Sequence, residues 1–228
     1  MILLIRGHIR NSFKSKQLYE FVEVIHELFP QLQIFIHTWN IFANNLSWRN
    51  IDANNDIVNE EIIYNYFGTL KTLIKQILID DDTQIQLRGN LIGNINNNNM
   101  PIIGWKNYWY GKYRIIDYIF THQEIPKDEL IINMRFDLFD NSNNFEKEEL
   151  ISFIKNRSNE KMIKNAFLLE GENKGIDNIY IGNINTMHKL TNKFAYDLDE
   201  ILSQNKDVYH QEALVYRLNE MIFEESTV

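Results

Sequence analysis

Apolar residues recur along this chain at two spacings, and the spacing changes from segment to segment. Ile2 to Ile5 is a short continuous apolar run that stops at Arg6-Gly7-His8, the pattern of a buried strand. From Ser15 to Leu28 the apolar positions are Leu18, Phe21, Val22, Ile25 and Leu28, which share one face of a helix, and Pro30 closes that helix. Gln33 to His37 is apolar again and predicts a second strand. A strand, a helix and a strand joined by short connections build a parallel sheet, with the first two strands adjacent. Asn40 to Asn59 is polar and reads as a surface loop. Glu60 to Lys75 follows as a helix, and Ile77 to Ile79 as a strand stopped by Asp80, Asp81 and Asp82. A loop rich in Asn and Gly covers Gly89 to Pro101. Trp105, Trp109, Tyr113, Ile116 and Phe120 then fall at helical intervals, and Leu130 to Met134 reads as a buried strand. Short helices are expected over Glu146 to Asn156 and Ser158 to Asn165, and late strands over Phe167 to Leu169 and Ile179 to Ile181. Two final helices run from Asn185 to Leu202 and from Gln211 to Phe223. The fold class predicted is α/β with a mostly parallel central sheet flanked by helices.

Composition narrows the function classes. At 228 residues, with no internal repeat or linker, one domain spanning 1–228 is the expectation. The net charge of -8 argues against a dedicated nucleic-acid binder. There is no cysteine, hence no disulfide framework and no thiolate metal site, which fits a cytoplasmic protein. No stretch approaches the roughly 20 apolar residues of a membrane span, and the apolar start is too short for a signal peptide. Runs such as Asn96 to Asn99 match the bias of an AT-rich genome and carry no functional reading.

Candidate chemistry gathers at the inferred strand ends, where ligands bind in open α/β sheets. Ile131 to Phe139 runs through Asn133 into Arg135-Phe136-Asp137. Residues two apart on a strand share a face, so a guanidinium and a carboxylate would project together from the sheet rim. That pair suits a diphosphate, a metal or a sugar hydroxyl, and equally an ion pair closing the sheet edge. Arg6, Gly7, His8 and Arg10 form a basic loop after the first strand. Its glycine would let a ligand approach the backbone, or simply turn the chain between solvated arginines. His37, Thr38 and Trp39 end the second strand, offering hydrogen bonds and a flat ring, or a structural histidine. Asp80 to Asp82 could hold a hard cation or form a solvated turn. Asp177 precedes a late strand. Glu212 opens the last helix, where the backbone dipole stabilises any carboxylate; it is also a candidate general base. Neither a dinucleotide fingerprint nor a P-loop is present.

Taken in order, these segments resemble bacterial glycosyltransferase-like proteins of capsule and lipopolysaccharide gene clusters, which have a GT-A-type fold with a Rossmann-like nucleotide-binding half. The residues carrying the resemblance are Ile5-Arg6-Gly7-His8-Ile9-Arg10, Ile34-Phe35-Ile36-His37-Thr38-Trp39, the aromatic helix, Arg135-Phe136-Asp137, Asp177 to Gly182 and Glu212. The resemblance implies transfer of a sugar from a nucleotide-sugar donor to a glycan or glycolipid acceptor, in the cytoplasm with peripheral contact to the inner membrane. By it, Arg6, Gly7, His8, Arg10, His37, Thr38, Trp39, Arg135 and Asp137 line the donor site, and Asp177 and Glu212 are the catalytic carboxylates. Arg135 stands where the family carries the first acid of Asp-x-Asp. A guanidinium then takes over part of the charge neutralisation, and Asp137 either holds Mg²⁺ or Mn²⁺ alone or accepts a hydrogen bond from the ribose or donor sugar, with Asp80 to Asp82 as a further source of a metal ligand. Two other readings are a non-catalytic sugar or nucleotide binder and another nucleotide-dependent transferase that modifies polysaccharides. A rim position for Asp137 further predicts that Asp137→Asn abolishes transfer with folding largely intact, and that changes at Asp80 to Asp82 matter less.

Overall fold

A computed structural model describes residues 1–46, 51–95, 99–122, 124–140, 145–168, 177–208 and 211–224. Six strands form the central sheet: β1 (Ile2–Arg6), β2 (Gln33–Trp39), β5 (Ile74–Asp80), β6 (Leu130–Arg135), β7 (Ala166–Phe167) and β8 (Ile179–Asn183), in the spatial order β5-β2-β1-β6-β8-β7. The first four in that order run parallel, with Ile5 beside Ile36 and Met134; β8 is reversed beside β6, and the short β7 pairs antiparallel with β8 at the edge. The class is therefore mixed α/β with a mostly parallel sheet, and the first two strands are adjacent and parallel as the opening pattern predicts.

Strand alternation sends residues to two cores. Leu3, Ile5, Ile34, Ile36, Ile132 and Met134 pack against α1 (Gln17–Leu28), α2 (Glu60–Phe67) and α4 (Lys147–Ser158). Ile2, Leu4, Phe35, Ile131 and Tyr180 pack on the other face against α3 (Ile102–His122), α5 (Ile184–Tyr196), α6 (Leu198–Gln204) and α7 (Gln211–Glu224). With both faces covered, the central strands have no polar side to show, which is why they read as continuous apolar runs. No helix among the described residues is long and apolar enough to cross a membrane.

Several boundaries differ from the periodicity, each for a local reason. The polar 40–59 region holds a two-stranded antiparallel ribbon, β3 (Ile41–Ala43) and β4 (Asn54–Ile57). The helix expected to reach Lys75 stops at Phe67, because Gly68 takes φ +51° and caps it. A 3₁₀ turn over Gly68–Leu73 then leads into β5, which begins at Ile74. The helix expected from Asn185 to Leu202 breaks at Asp197, where α5 ends and α6 begins. Phe194, Leu198 and Ile201 stay buried across the break, so the apolar spacing conceals it. The short helix expected over Ser158 to Asn165 is absent. Asn159 caps α4, and the following turns leave Ile163 69% exposed, so no apolar face is available to hold a helix down. Leu169 in the first late strand lies outside the described residues, as does the Asn96-Asn97-Asn98 part of the asparagine run.

Candidate functional site

The carboxyl ends of the parallel strands place the predicted segments along one rim in the order of the sheet. Asp80 ends β5, His37 to Trp39 end β2, Arg6 and Gly7 end β1, and Arg135 ends β6. Antiparallel β8 begins at the same rim, so Asn178 meets Arg135 there, its carbonyl accepting from the Arg135 backbone N–H at 3.1 Å. Strands sit about 4.8 Å apart, so the row from Asp80 to Asp177 spans roughly 19 Å.

At the β1 end the chain turns sharply. Gly7 has φ +94°, and a Cβ added there would meet nothing within 4 Å. The left-handed backbone alone requires a glycine here, and the space beside it is open. Arg10 is a non-glycine residue at φ +54°, a costly conformation of the kind that collects at functional sites. Its backbone N–H donates to the Phe42 carbonyl at 2.9 Å, and its guanidinium reaches Asp137. Thr38 is buried and its hydroxyl donates to the Gly7 carbonyl at 3.0 Å, so it ties the loop to the end of β2.

Asp137 is not on β6. The strand stops at Arg135, and Asp137 belongs to a 3₁₀ turn over Phe136–Leu138. The same-face argument for a strand pair therefore fails, yet the two side chains meet because the turn swings the carboxylate back. Arg135 donates Nε to Oδ1 at 2.6 Å and Nη2 to Oδ2 at 2.7 Å, and Arg10 Nη1 also reaches Oδ2. Burial works against the charge on Arg135, but Asp137 outweighs it and holds the guanidinium more firmly protonated than usual. A carboxylate committed to two guanidinium groups is a poor fit for a divalent cation. Among the described residues no cluster of three or more His, Asp or Glu could hold a metal.

Beneath the rim lies a cluster of charge. Arg6 is 1% exposed; its Nε donates to Asn133 Oδ1 at 2.8 Å and its Nη2 to the Asp177 carbonyl. Tyr108 also donates to that carbonyl, at 2.8 Å. Lys112 is fully buried, with Nζ 4.0 Å from Asp177 Oδ2 and seated over the rings of Tyr108 (4.1 Å) and Trp109 (3.8 Å). Burial lowers the Lys112 ammonium well below its usual range, reinforced by Arg6 and opposed by Asp177 and Glu212. For Asp177, burial pushes the carboxyl upward, but Lys112, Arg6 and Arg135 together hold it below the ordinary range. Glu212, at the first turn of α7, thus lies within electrostatic reach of the same cluster. Among the described residues Arg6 Nη1, Lys112 Nζ and Asn133 Nδ2 are buried donors with no hydrogen-bond acceptor, an excess that an anionic or acceptor-rich group would satisfy.

At the other end the rim is aromatic. His8 stacks on Trp39 with ring centroids 5.8 Å apart, and Trp39 stacks on Tyr110 at 6.0 Å. His37 is fully buried; its Nε2 lies 3.2 Å from Asp80, which Arg114 approaches at 3.6 Å. The acidic cluster is thus not without basic neighbours. Asp80 is an ion-pair partner, Asp81 holds its own turn by accepting from Thr83 N–H at 2.9 Å, and Asp82 accepts from Asn44. They point to different partners and form no joint cation site.

The rim and the cluster beneath it thus bring together all the predicted site residues except Glu212, which reaches the cluster from α7. Lys112, Tyr108, Tyr110 and Asn133 were not foreseen. Two of them left a signal in the sequence: Lys112 interrupts the apolar stripe from Trp109 to Ile116, and Asn133 interrupts an apolar strand.

No protein-family model matches the chain, and no curated protein sequence does. Among solved structures it is similar to the crystal structure of 4-diphosphocytidyl-2C-methyl-D-erythritol synthase, with 10% identity, a TM-score of 0.42, and 95% of this chain and 83% of that one covered. A likeness of that degree carries no chemistry across, so the functional reading rests on the rim itself.

Proposed function

We propose that this protein is a nucleotide-sugar-dependent glycosyltransferase acting on a surface-glycan acceptor. The observation that carries the reading is the polarity of the rim. Stacked rings of His8, Trp39 and Tyr110 stand at one end, guanidinium groups of Arg10 and Arg135 in the middle, and the carboxylates of Asp177 and Glu212 towards the other. A nucleoside diphosphate-sugar has the same order: a flat base, a dianionic linker and a sugar. The span of roughly 19 Å suits such a ligand laid along the strand ends.

In this reading the acceptor oxygen attacks the anomeric carbon, the bond to the diphosphate breaks, and the nucleoside diphosphate departs. Charge grows on the diphosphate as the bond lengthens, and preoriented cations stabilise it. Arg10 and Arg135, fixed by Asp137, supply that charge in place of a divalent ion. The acceptor proton passes to a carboxylate. Asp177 is a weak base because three cations hold its carboxyl low, so Glu212 is assigned the proton and Asp177 the task of fixing Arg6 and Lys112.

The test is thermal shift with UDP, GDP and CDP in EDTA and again with Mn²⁺, followed by donor hydrolysis. A nucleotide present at 100 times its Kd adds about 2.7 kcal/mol of stability. The expected result is a rise in Tm with at least one nucleotide in EDTA that is lost in Arg10→Ala and Arg135→Ala. No rise with any of them, or a rise insensitive to both variants, refutes the reading. The neutralised state of Asp177 and Asp137 favours a second reading, a nucleotide-sugar binder without turnover. Binding without hydrolysis or transfer would select it.

A further inference from the structure

On another face of α3 from Lys112 lies a second cleft, of about 320 Å³, which falls in the size range of ligand sites. Lys106, Tyr110 and Tyr113, spaced four and three residues apart on one face of α3, form its floor. Gln86 and Arg88 form one wall and Tyr196, at the end of α5, the other. Tyr108 and Lys112, which serve the buried charge cluster, point elsewhere on the helix. Tyr110 connects the two places, through its stack on Trp39.

The cleft wall is built and fixed. Lys106 Nζ pairs with Asp199 Oδ1 at 2.7 Å and donates to the Arg88 carbonyl. Asp199 also accepts from the Asn90 backbone N–H at 2.8 Å. Gly89, at φ +73°, packs so closely that a Cβ there would lie 1.8 Å from Asp199 Oδ2. Such a loop is pre-organised, and a ligand that meets it does not bear the cost of ordering it. Within this frame Arg88 lies over the Tyr196 ring with Cζ 4.4 Å from the centroid, and among the described residues it forms no ion pair. Tyr196 donates to the Tyr113 hydroxyl at 3.2 Å, setting two phenols side by side.

We propose that this cleft binds an acidic oligosaccharide, one whose sugar rings carry a carboxylate. Pyranose rings have apolar C–H faces that lie on aromatic rings, and hydroxyls that pair with phenol and amide groups; Tyr110, Tyr113, Tyr196 and Gln86 supply both. The planar fork of Arg88 is held on an aromatic face and suits a carboxylate bidentately. In a chain of net charge -8, a guanidinium that forms no ion pair among the described residues, set on a ring at the cleft, favours an anionic ligand. Such a cleft would hold a glycan chain beside the rim and raise its local concentration there. The inference does not need the transferase reading: its discriminating residues, Arg88 and Tyr196, lie outside the rim, and Tyr110 is shared between the two places.

The experiment is isothermal titration of the intact protein at low salt with hyaluronan tetrasaccharide, whose alternate rings are uronic acids, and with neutral chitotetraose. The hyaluronan tetrasaccharide should bind at least tenfold more tightly. Arg88→Gln and Tyr196→Ala should each weaken it tenfold or more while leaving the thermal shift given by UDP unchanged. Four results would overturn the proposal: no binding of the acidic probe, equal binding of the two probes, full affinity in Arg88→Gln, or full affinity in Tyr196→Ala. Absence of a shift with UDP, GDP and CDP alike in the unaltered chain would count against the transferase reading and leave this inference standing.

Discussion

Replacing Asp137 by Asn changes one atom type and tests the centre of the site. The Asp137 side chain is 3% exposed and serves two guanidinium groups whose own side chains are 16% and 17% exposed. An acid on an open rim could be exchanged with folding largely intact, and the sequence alone suggests that outcome; burial reverses the expectation. Removing one member of a buried ion pair costs about 3–5 kcal/mol, because the partner charge stays behind uncompensated. Asn retains one acceptor oxygen, which returns part of this, but its Nδ2 now faces an N–H donor. A net loss of about 2–4 kcal/mol follows. Unfolding entropy near 2 cal/mol/K per residue, over 228 residues, makes each kcal/mol worth about 2 °C, so the midpoint should fall by roughly 4–8 °C. Thermal melts by circular dichroism at pH 7 measure this directly, at 0.1 M and 1 M salt. A fall under about 1 °C, or one that vanishes at high salt, would mean the trio behaves as an exposed and screened pair. The reasoning about a rigid cationic centre would then be wrong. In the same variant the UDP-induced shift should be lost, because Arg10 and Arg135 lose the group that orients them.

Acidification below pH 6.5 should destabilise the protein through its buried histidines. Burial, with Arg10 adding to it, lowers the His8 imidazole from 6.5 to about 3, and burial lowers His37 against the opposing pull of Asp80. Below pH 6.5 the unfolded chain therefore binds protons that these native histidines refuse, and stability falls by up to about 1.4 kcal/mol per pH unit for each. Urea melts between pH 6.5 and 4.5 should show that slope, and His8→Gln should flatten it; an unchanged slope would refute the assignment. Gly111→Ala should lose about 1–3 kcal/mol in urea denaturation, because its Cβ would stand 2.7 Å from the buried His37 ring. Equal stability would mean that the ring moves without cost. Asp80→Asn should lower Tm more than Asp81→Asn, since Asp80 faces both His37 and Arg114 whereas Asp81 holds only an exposed turn; the reverse order in parallel melts would contradict this.

The chain's own pattern determined the alternation of strands and helices, because buried parallel strands are apolar on both faces and the helices over them on one. It also placed Arg6 to Arg10, His37 to Trp39 and Arg135 at strand ends, since an apolar run can only stop where the chain leaves the core. Strand order was not in the pattern. That β1 lies between β2 and β6, and that antiparallel β8 returns Asn178 to the same rim, depends on pairings between residues far apart in sequence. The partners of each charge were likewise invisible: Asp137 joins two arginines through a turn that no spacing announces, and Asp80 meets a histidine 43 residues away. Lys112 shows the limit most plainly. Its place in an apolar stripe marks it as buried, but only the packing of α3 over the sheet brings it beside Asp177 and Tyr108, and burial together with Arg6 and Asp177 sets the direction of its shift. Periodicity reports which way a side chain faces. The field it sits in is set by whatever the tertiary fold puts opposite.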